Sequence, residues 1–186
     1  MNTLESMLVR NQEFAAEQVA AGTLMPSLPE TTTHVKAIIL GCGDMRVDPA
    51  HVLGLRPGEA LVLRNIGGRI TPGVLEEMGL LARIGQVMGK VAGGGGEFHL
   101  IVLQHTDCGI TRLAGDAAKL ARFFQIPEEE VAAKAVTDPY AAVAMDLTLL
   151  RSIPSLPGAW VLSGLVYDVA TGQIEVVVPP APIRGA

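Results

Sequence analysis

Three times in this chain a helix-capping residue is followed at once by proline: Asp48-Pro49, Thr71-Pro72 and Asp138-Pro139. An Asp or Thr at the cap accepts hydrogen bonds from free amides of the first turn. Proline at the next position gives up nothing, because its missing N–H would be unpaired there anyway. Each pair therefore fixes a helix start, and the segments between them must supply the rest of the fold. Residues 34–41 (HVKAIILG), 60–63 and 98–104 are short apolar runs bounded by turn residues, which read as buried strands. Helices are expected from Pro49, ending at Gly54, and from Pro72, with Leu75, Met78, Leu81, Ala82 and Met88 on its apolar face. Others are expected over 111–124 and 128–134, and from Pro139, carrying Val143, Leu147 and Leu150. Residues 160–178 read as two β runs that turn at Ala170-Thr171-Gly172. This alternation predicts an α/β domain with a mostly parallel central β-sheet flanked by helices, closed by an antiparallel C-terminal edge hairpin.

With 186 residues, 49% of them hydrophobic, the chain can bury one core without disulfide staples. Residues 3–20 place Leu4, Met7, Leu8, Phe14, Ala15 and Val19 on one helical stripe that ends at Gly22. A Pro/Thr-rich linker over 26–33 follows, so residues 1–33 read as an arm that packs on its own body or on a second subunit. Residues 34–178 form the α/β domain, 93–96 a glycine connector within it, and 179–186 a loose tail. The net charge is −5 and no two basic residues are adjacent, which argues against nucleic acid and anionic membrane as partners. No apolar stretch reaches the roughly 18–20 residues of a membrane span. Glu5, Arg10 and Glu13 interrupt the run a signal peptide needs, so a cytoplasmic location is expected.

The two cysteines carry the chemistry. Cys42 opens Cys42-Gly43-Asp44-Met45-Arg46, and Cys108 closes His105-Thr106-Asp107-Cys108, which runs on into Gly109. Each motif directly follows a predicted strand, and ligand sites of open α/β sheets collect at the carboxyl ends of strands. Adjacent parallel strands would bring Cys42, His105 and Cys108 together. Two thiolates and one imidazole suit Zn²⁺ in a tetrahedron and leave a fourth position, the arrangement that activates water. Thiolates donate more charge than imidazoles, so such a site acidifies its water less and gains from a nearby acceptor. Asp44 can be that acceptor, with Arg46 holding it ionised. Alternatively Asp44 fills the fourth position and closes the site; both arrangements are open at this point.

Other features read more plainly. His34, His51 and His99 lack such companions and are expected to be surface or structural, His51 being the one placed to relay protons. Asp107 is expected to cap the following turn. Asn65, Gly67 and Gly68 suit a tight turn. There is no C-x-x-C pair for dithiol redox chemistry, and Cys42-x₃-Arg46 is too short for an anion-cradling nucleophile loop. A zinc-stabilised, non-enzymatic regulator with a permanently closed site is the remaining rival.

C-x-D-x-R followed much later by H-x-x-C-G, each after a strand, resembles a β-class carbonic anhydrase of the short bacterial and archaeal type. Arg64-Asn65-Ile66-Gly67-Gly68 is similar to that family's R-N-x-G loop, and the likeness extends over about residues 36–178. The resemblance implies that Cys42, His105 and Cys108 bind zinc and that Asp44 and Arg46 form the catalytic dyad. It implies reversible hydration of carbon dioxide to bicarbonate and a proton by a zinc-bound hydroxide. The substrate pocket would involve Asn65, Gly67, Gly68 and Gly109. It also implies a homodimer or higher homo-oligomer in which the N-terminal helix embraces the partner. Relatives of this fold hydrolyse CS₂ or COS, and the same centre would serve those substrates. Three features depart from the family pattern. Met45 is expected to place a bulky thioether between the dyad residues. Gly68 stands where many members have Asn, and 93–96 lengthens a connector.

Overall fold

The computed structural model describes residues 2–24, 28, 35–88 and 97–185. The expected connector at 93–96, His34, and the linker at 26–33 apart from Leu28 lie outside the described residues. Helix α1 (Thr3–Ala21) opens on a capping box between Asn2 and Glu5 and stops at Gly22, whose φ of 66° only glycine adopts cheaply. Then follow β1 (Ala37–Cys42), the short α2 (Pro49–Val52), β2 (Ala60–Asn65) and a 3₁₀ turn over Ile66–Gly68. Next come α3 (Pro72–Val87), β3 (His99–His105), a 3₁₀ turn over Gly109–Leu113 and α4 (Ala117–Phe124). A 3₁₀ segment over Glu128–Lys134, then α5 (Pro139–Arg151), β4 (Val161–Tyr167) and β5 (Ile174–Pro182) complete the chain. All three cap-plus-proline pairs start helices as expected: Asp48, Thr71 and Asp138 each accept from an amide in the first turn.

One five-stranded sheet runs in the order β2-β1-β3-β4-β5. Every pairing is parallel except β4 with β5. All six residues of β1 are buried, as expected for a central parallel strand covered on both faces. On one face Ile38, Leu40, Leu100, Val102 and Leu162 meet Val74 and Met78 of α3 and Val143, Leu147 and Leu150 of α5. On the other, Ala37, Ile39 and Leu103 pack with Val52 and Leu53. Helix α5 lies close to the sheet because Gly164 of β4 has no side chain. A Cβ there would stand 2.3 Å from Val143 Cγ1.

The structure departs from the sequence expectations in four places. The helix expected over 111–124 is two pieces, since Asp116 accepts from Lys119 N (3.0 Å) and starts a new helix after the turn. The segment at Glu128–Lys134 is 3₁₀ rather than α. Strand β2 runs on to Asn65, two residues beyond the apolar run. The tail expected over 179–186 is instead part of the sheet as far as Pro182, and Ile183 is buried. A chain end is commonly loose unless tied down; here β5 pairs with β4, and its prolines are tolerated because it is an edge strand.

A buried ion pair ties three elements together behind the sheet's carboxyl edge. Arg69, just before α3, donates to Asp146 of α5 through Nε (2.8 Å) and Nη2 (3.2 Å). Asp146 also accepts from Ile70 N and from Gln104 Nε2 of β3, each at 3.2 Å. Both side chains are 1% exposed. Asp146→Ala is expected to lower stability by about 3–5 kcal/mol in urea unfolding, because it strands a buried guanidinium. A loss below about 1 kcal/mol would show that the arginine finds another partner.

Candidate metal centre

The chain runs from β1 outward to β2, then crosses back over β1 to lay down β3. That reversal opens a crevice between the carboxyl ends of β1 and β3, the usual place for a ligand in an open α/β sheet. The register pairs Gly41 with Leu103, so the last residues of both strands emerge side by side. Cys42 ends β1, His105 ends β3, and Cys108 follows after a turn. Their ligand atoms lie within 4.8 Å of one another, all three residues are buried, and the two Sγ atoms are 3.6 Å apart.

Both thiols are free. Their chemistry fits a soft divalent cation. Two sulfurs bound to zinc at about 2.3 Å in a tetrahedron would stand roughly 3.8 Å apart, close to the separation found here. His105 Nδ1 donates to the Thr106 carbonyl (2.9 Å), which turns the other ring nitrogen toward the thiols. That nitrogen, Nε2, is buried and has no hydrogen-bond partner among the described residues. A buried polar atom left unpaired is costly, and a cation bound here would relieve it. The Cys108 hydrogen bond holds the Cys42 thiol far below its ordinary range, against the opposing effect of burial. Cys108 is driven upward by that same contact and by burial. Burial opposes charge on His105, but the adjoining Cys42 thiolate outweighs it and its pKa rises. The direction of these shifts favours charge on the Cys42 sulfur, the form in which a thiol ligates a cation.

Asp44 and Arg46 stand beside these ligands. Arg46 reaches Asp44 Oδ1 through Nε (3.0 Å) and its own backbone N–H (2.9 Å), and Oδ2 through Nη2 (2.8 Å). These bonds hold the Asp44 carboxyl well below the usual carboxylate range. Asp44 Oδ2 lies 3.9 Å from His105 Nε2. Met45, expected between the pair, is 89% exposed and leaves the contact unobstructed. The turn points its side chain outward while the flanking residues face each other.

Two arginines hold the loops in place. Arg64 donates to the carbonyls of Cys42 (2.9 Å), Asp44 (2.7 Å) and Val47 (3.4 Å) and pairs with Asp48 (3.1 Å), bracing the segment after β1. On the other side, Arg46 meets Asp107 rather than leaving it to cap a turn: Nη1 donates to Oδ2 and Nη2 to the backbone carbonyl, both at 2.9 Å. Neither role is visible from spacing. Arg64 belongs to the R-N-x-G segment, but that motif says nothing about which carbonyls it reaches.

The four residues expected in a substrate pocket take different roles in the two turns beside the cluster. Asn65 spends both ends of its amide on the Arg69 backbone (2.7 and 2.8 Å) and so clamps the loop between them. Gly67 lines a narrow chamber with Arg69, Gln104, His105, Cys108 and Thr111. Gly68 packs against backbone, and Gly109 is exposed with open space beside its Cα. His51 is exposed on α2. His99 begins β3, at the far end of that strand from His105, and pairs with Glu97 at 2.7 Å.

Comparison with known proteins gives the family. A family model described as carbonic anhydrase matches residues 37–132. Beta-carbonic anhydrase 1 of Mycobacterium tuberculosis is 28% identical over 184 residues, covering 96% of this chain and all of that protein. A carbon disulfide hydrolase of Acidianus sp. (strain A1-3) is 27% identical over 162 residues, 74% of each chain. The crystal structure of a carbonic anhydrase from Streptococcus mutans superposes with a TM-score of 0.67 at 29% identity, covering 95% of this chain and 98% of that one.

Gly68 supplies a test of how the loop supports the cluster. Its φ is +61°, and a Cβ would stand 3.0 Å from Cys42 N and from Gly41 C, and 3.1 Å from Leu103 O. All three are backbone atoms that cannot step aside. Gly68→Ala is expected to cost about 1–3 kcal/mol in urea unfolding, and to weaken metal retention against a chelator of known affinity. Wild-type values in both measurements would separate this loop from the cluster.

Proposed function

Because the chain belongs to the β-carbonic anhydrase family, we propose that it hydrates carbon dioxide reversibly to bicarbonate and a proton at a zinc ion held by Cys42, His105 and Cys108. The observation that carries this reading is the convergence of three ligand atoms within 4.8 Å around an unpartnered, buried His105 Nε2. Zinc, when bound, would supply a Lewis acid that lowers the pKa of water from about 15.7, less far than an all-histidine site does because the thiolates donate more charge.

The rest is work for the chain's own residues. Cys42 and Cys108 bring negative charge to a buried site and select a soft cation over magnesium or calcium. Asp44, kept ionised by Arg46, is a pure acceptor whose Oδ2 faces the cluster. It takes a hydrogen bond from the attacking water and so fixes where the oxygen lone pair points. Arg46 occupies both Asp44 oxygens and draws the carboxylate away from the ligands. Gly67 keeps the approach to His105 and Cys108 free of side-chain bulk, while Asn65 and Gly68 hold its loop. Gly109 borders the second ligand loop. The thiols serve as ligands only when reduced, which suits the cytoplasm. Among the described residues no helix is long and apolar enough to cross a membrane.

A dimer is part of the same proposal. None of the residues of α1 is buried, and Leu4, Met7, Leu8, Phe14 and Val19 stand between 52% and 64% exposed. A second copy covering that stripe accounts for its composition. The carbon disulfide hydrolase relative supports one further reading, hydrolysis of CS₂ or COS, since these linear molecules share the shape of carbon dioxide.

Stopped-flow hydration of carbon dioxide on zinc-loaded protein, with CS₂ and COS hydrolysis run in parallel, decides among the substrates. Cys42→Ser and Cys108→Ser are expected to lose zinc and turnover together; full metal content in either would remove it from the ligand set. Asp44→Ala should retain zinc yet lose roughly a hundredfold in kcat, and undiminished turnover would take Asp44 out of the mechanism.

A further inference from the structure

Arg46 is held from two sides. Its Nε and Nη2 serve Asp44, while Nη1 and the second hydrogen of Nη2 serve Asp107, through Oδ2 and the backbone carbonyl. Each bond uses a different N–H, so the two aspartates do not compete for the guanidinium. Asp107 is itself anchored on the far side, where Arg112 Nη2 donates to Oδ1 at 3.2 Å. The contact joins the loop after β1 to the loop after β3, which carry different ligands.

Two further observations separate this contact from an ordinary surface ion pair. Asp107 holds a φ of +51°, a left-handed conformation that non-glycine residues adopt at a cost. That conformation aims the carbonyl and carboxylate of one residue at the same guanidinium. The side chains of Arg46 and Asp107 are also 43% and 54% exposed. Pairs so wet add little to fold stability, so the geometry is better explained by what Arg46 must do.

We propose that Asp107 is a positioning residue: it locks Arg46 in the orientation that grips both oxygens of Asp44, and thereby keeps the Asp44 carboxylate, whose Oδ2 lies 3.9 Å from His105 Nε2, from turning onto the metal cluster. The inference rests on the proposed reading of Asp44 as a group whose place on Arg46, rather than on the metal, leaves room for water. Without Asp107, Arg46 is free to rotate into solvent and Asp44 takes the fourth position. Asp107→Gly suits the left-handed backbone, keeps the carbonyl and removes the carboxylate. Asp107→Asn also tolerates that backbone and keeps an acceptor oxygen for Nη1.

The test uses the full chain reconstituted with cobalt(II), read by metal content, by water-proton relaxation at the cobalt, and by the kcat and KM of carbon dioxide hydration. Asp107→Gly is expected to bind one equivalent of cobalt but to lose roughly five- to tenfold in water relaxation and in kcat, the scale of a charge-assisted contact that is partly exposed. Asp107→Asn should recover most of that loss. The double variant Asp44→Ala/Asp107→Gly should regain the relaxation signal, because the carboxylate that closes the metal is gone, while its kcat stays low. Wild-type relaxation in Asp107→Gly, or a lost signal that the double variant fails to restore, would overturn the proposal. Relaxation needs no substrate, so an absence of carbon dioxide hydration in the wild type would sink the proposed activity and leave this test standing.

Discussion

A buried nitrogen with no hydrogen-bond partner among the described residues is the constraint around which this site is arranged. His105 is fixed by its Nδ1 contact to the Thr106 carbonyl, and this leaves the buried Nε2 facing two sulfurs. Protein interiors rarely tolerate such an atom. Here the sheet topology makes it unavoidable: β1 and β3 are neighbours, they point the same way, and each delivers its ligand at the last residue of the strand. A cation bound between them would satisfy the nitrogen and both sulfurs at once. The family's metal chemistry and the fold's energetics therefore ask for the same thing.

Precision at the crevice comes from arginines used as braces rather than as surface charge. Arg64 gathers three carbonyls of the loop after β1, and Arg69 is buried against Asp146 behind it. A guanidinium presents five donors in a rigid plane, so one side chain can fix several backbone groups relative to one another. Lysine, a point charge on a flexible stem, could not hold three carbonyls in register. The Gly67–Gly68 turn then closes over β1 at a distance that admits no side chain.

Much of this is legible in the amino-acid sequence. The cap-plus-proline pairs at Asp48, Thr71 and Asp138 announced three helices correctly because capping is local chemistry, decided within four residues. The meeting of Cys42, His105 and Cys108 is legible because two of them end adjacent parallel strands and the third follows three residues later. What stayed hidden was long-range. Asp107 looked like a turn cap because its nearest amides are local, whereas its partner Arg46 is 61 residues away. Asn65 and Gly68 read as lining a pocket, but one is consumed by the Arg69 backbone and the other faces β1. Met45 sits between two interacting residues in the chain and outside them in space, since a turn separates neighbours that a linear reading keeps together.

The end of β5 carries a consequence for how copies of the molecule can associate. Outermost strands expose unpaired backbone groups and invite a neighbour's strand to zip on, a common route to runaway aggregation. Here the final stretch of the border strand contains Pro179, Pro180 and Pro182, none of which has an amide hydrogen to offer. That rim of the sheet is chemically blunted, so continuous sheet extension through it is disfavoured.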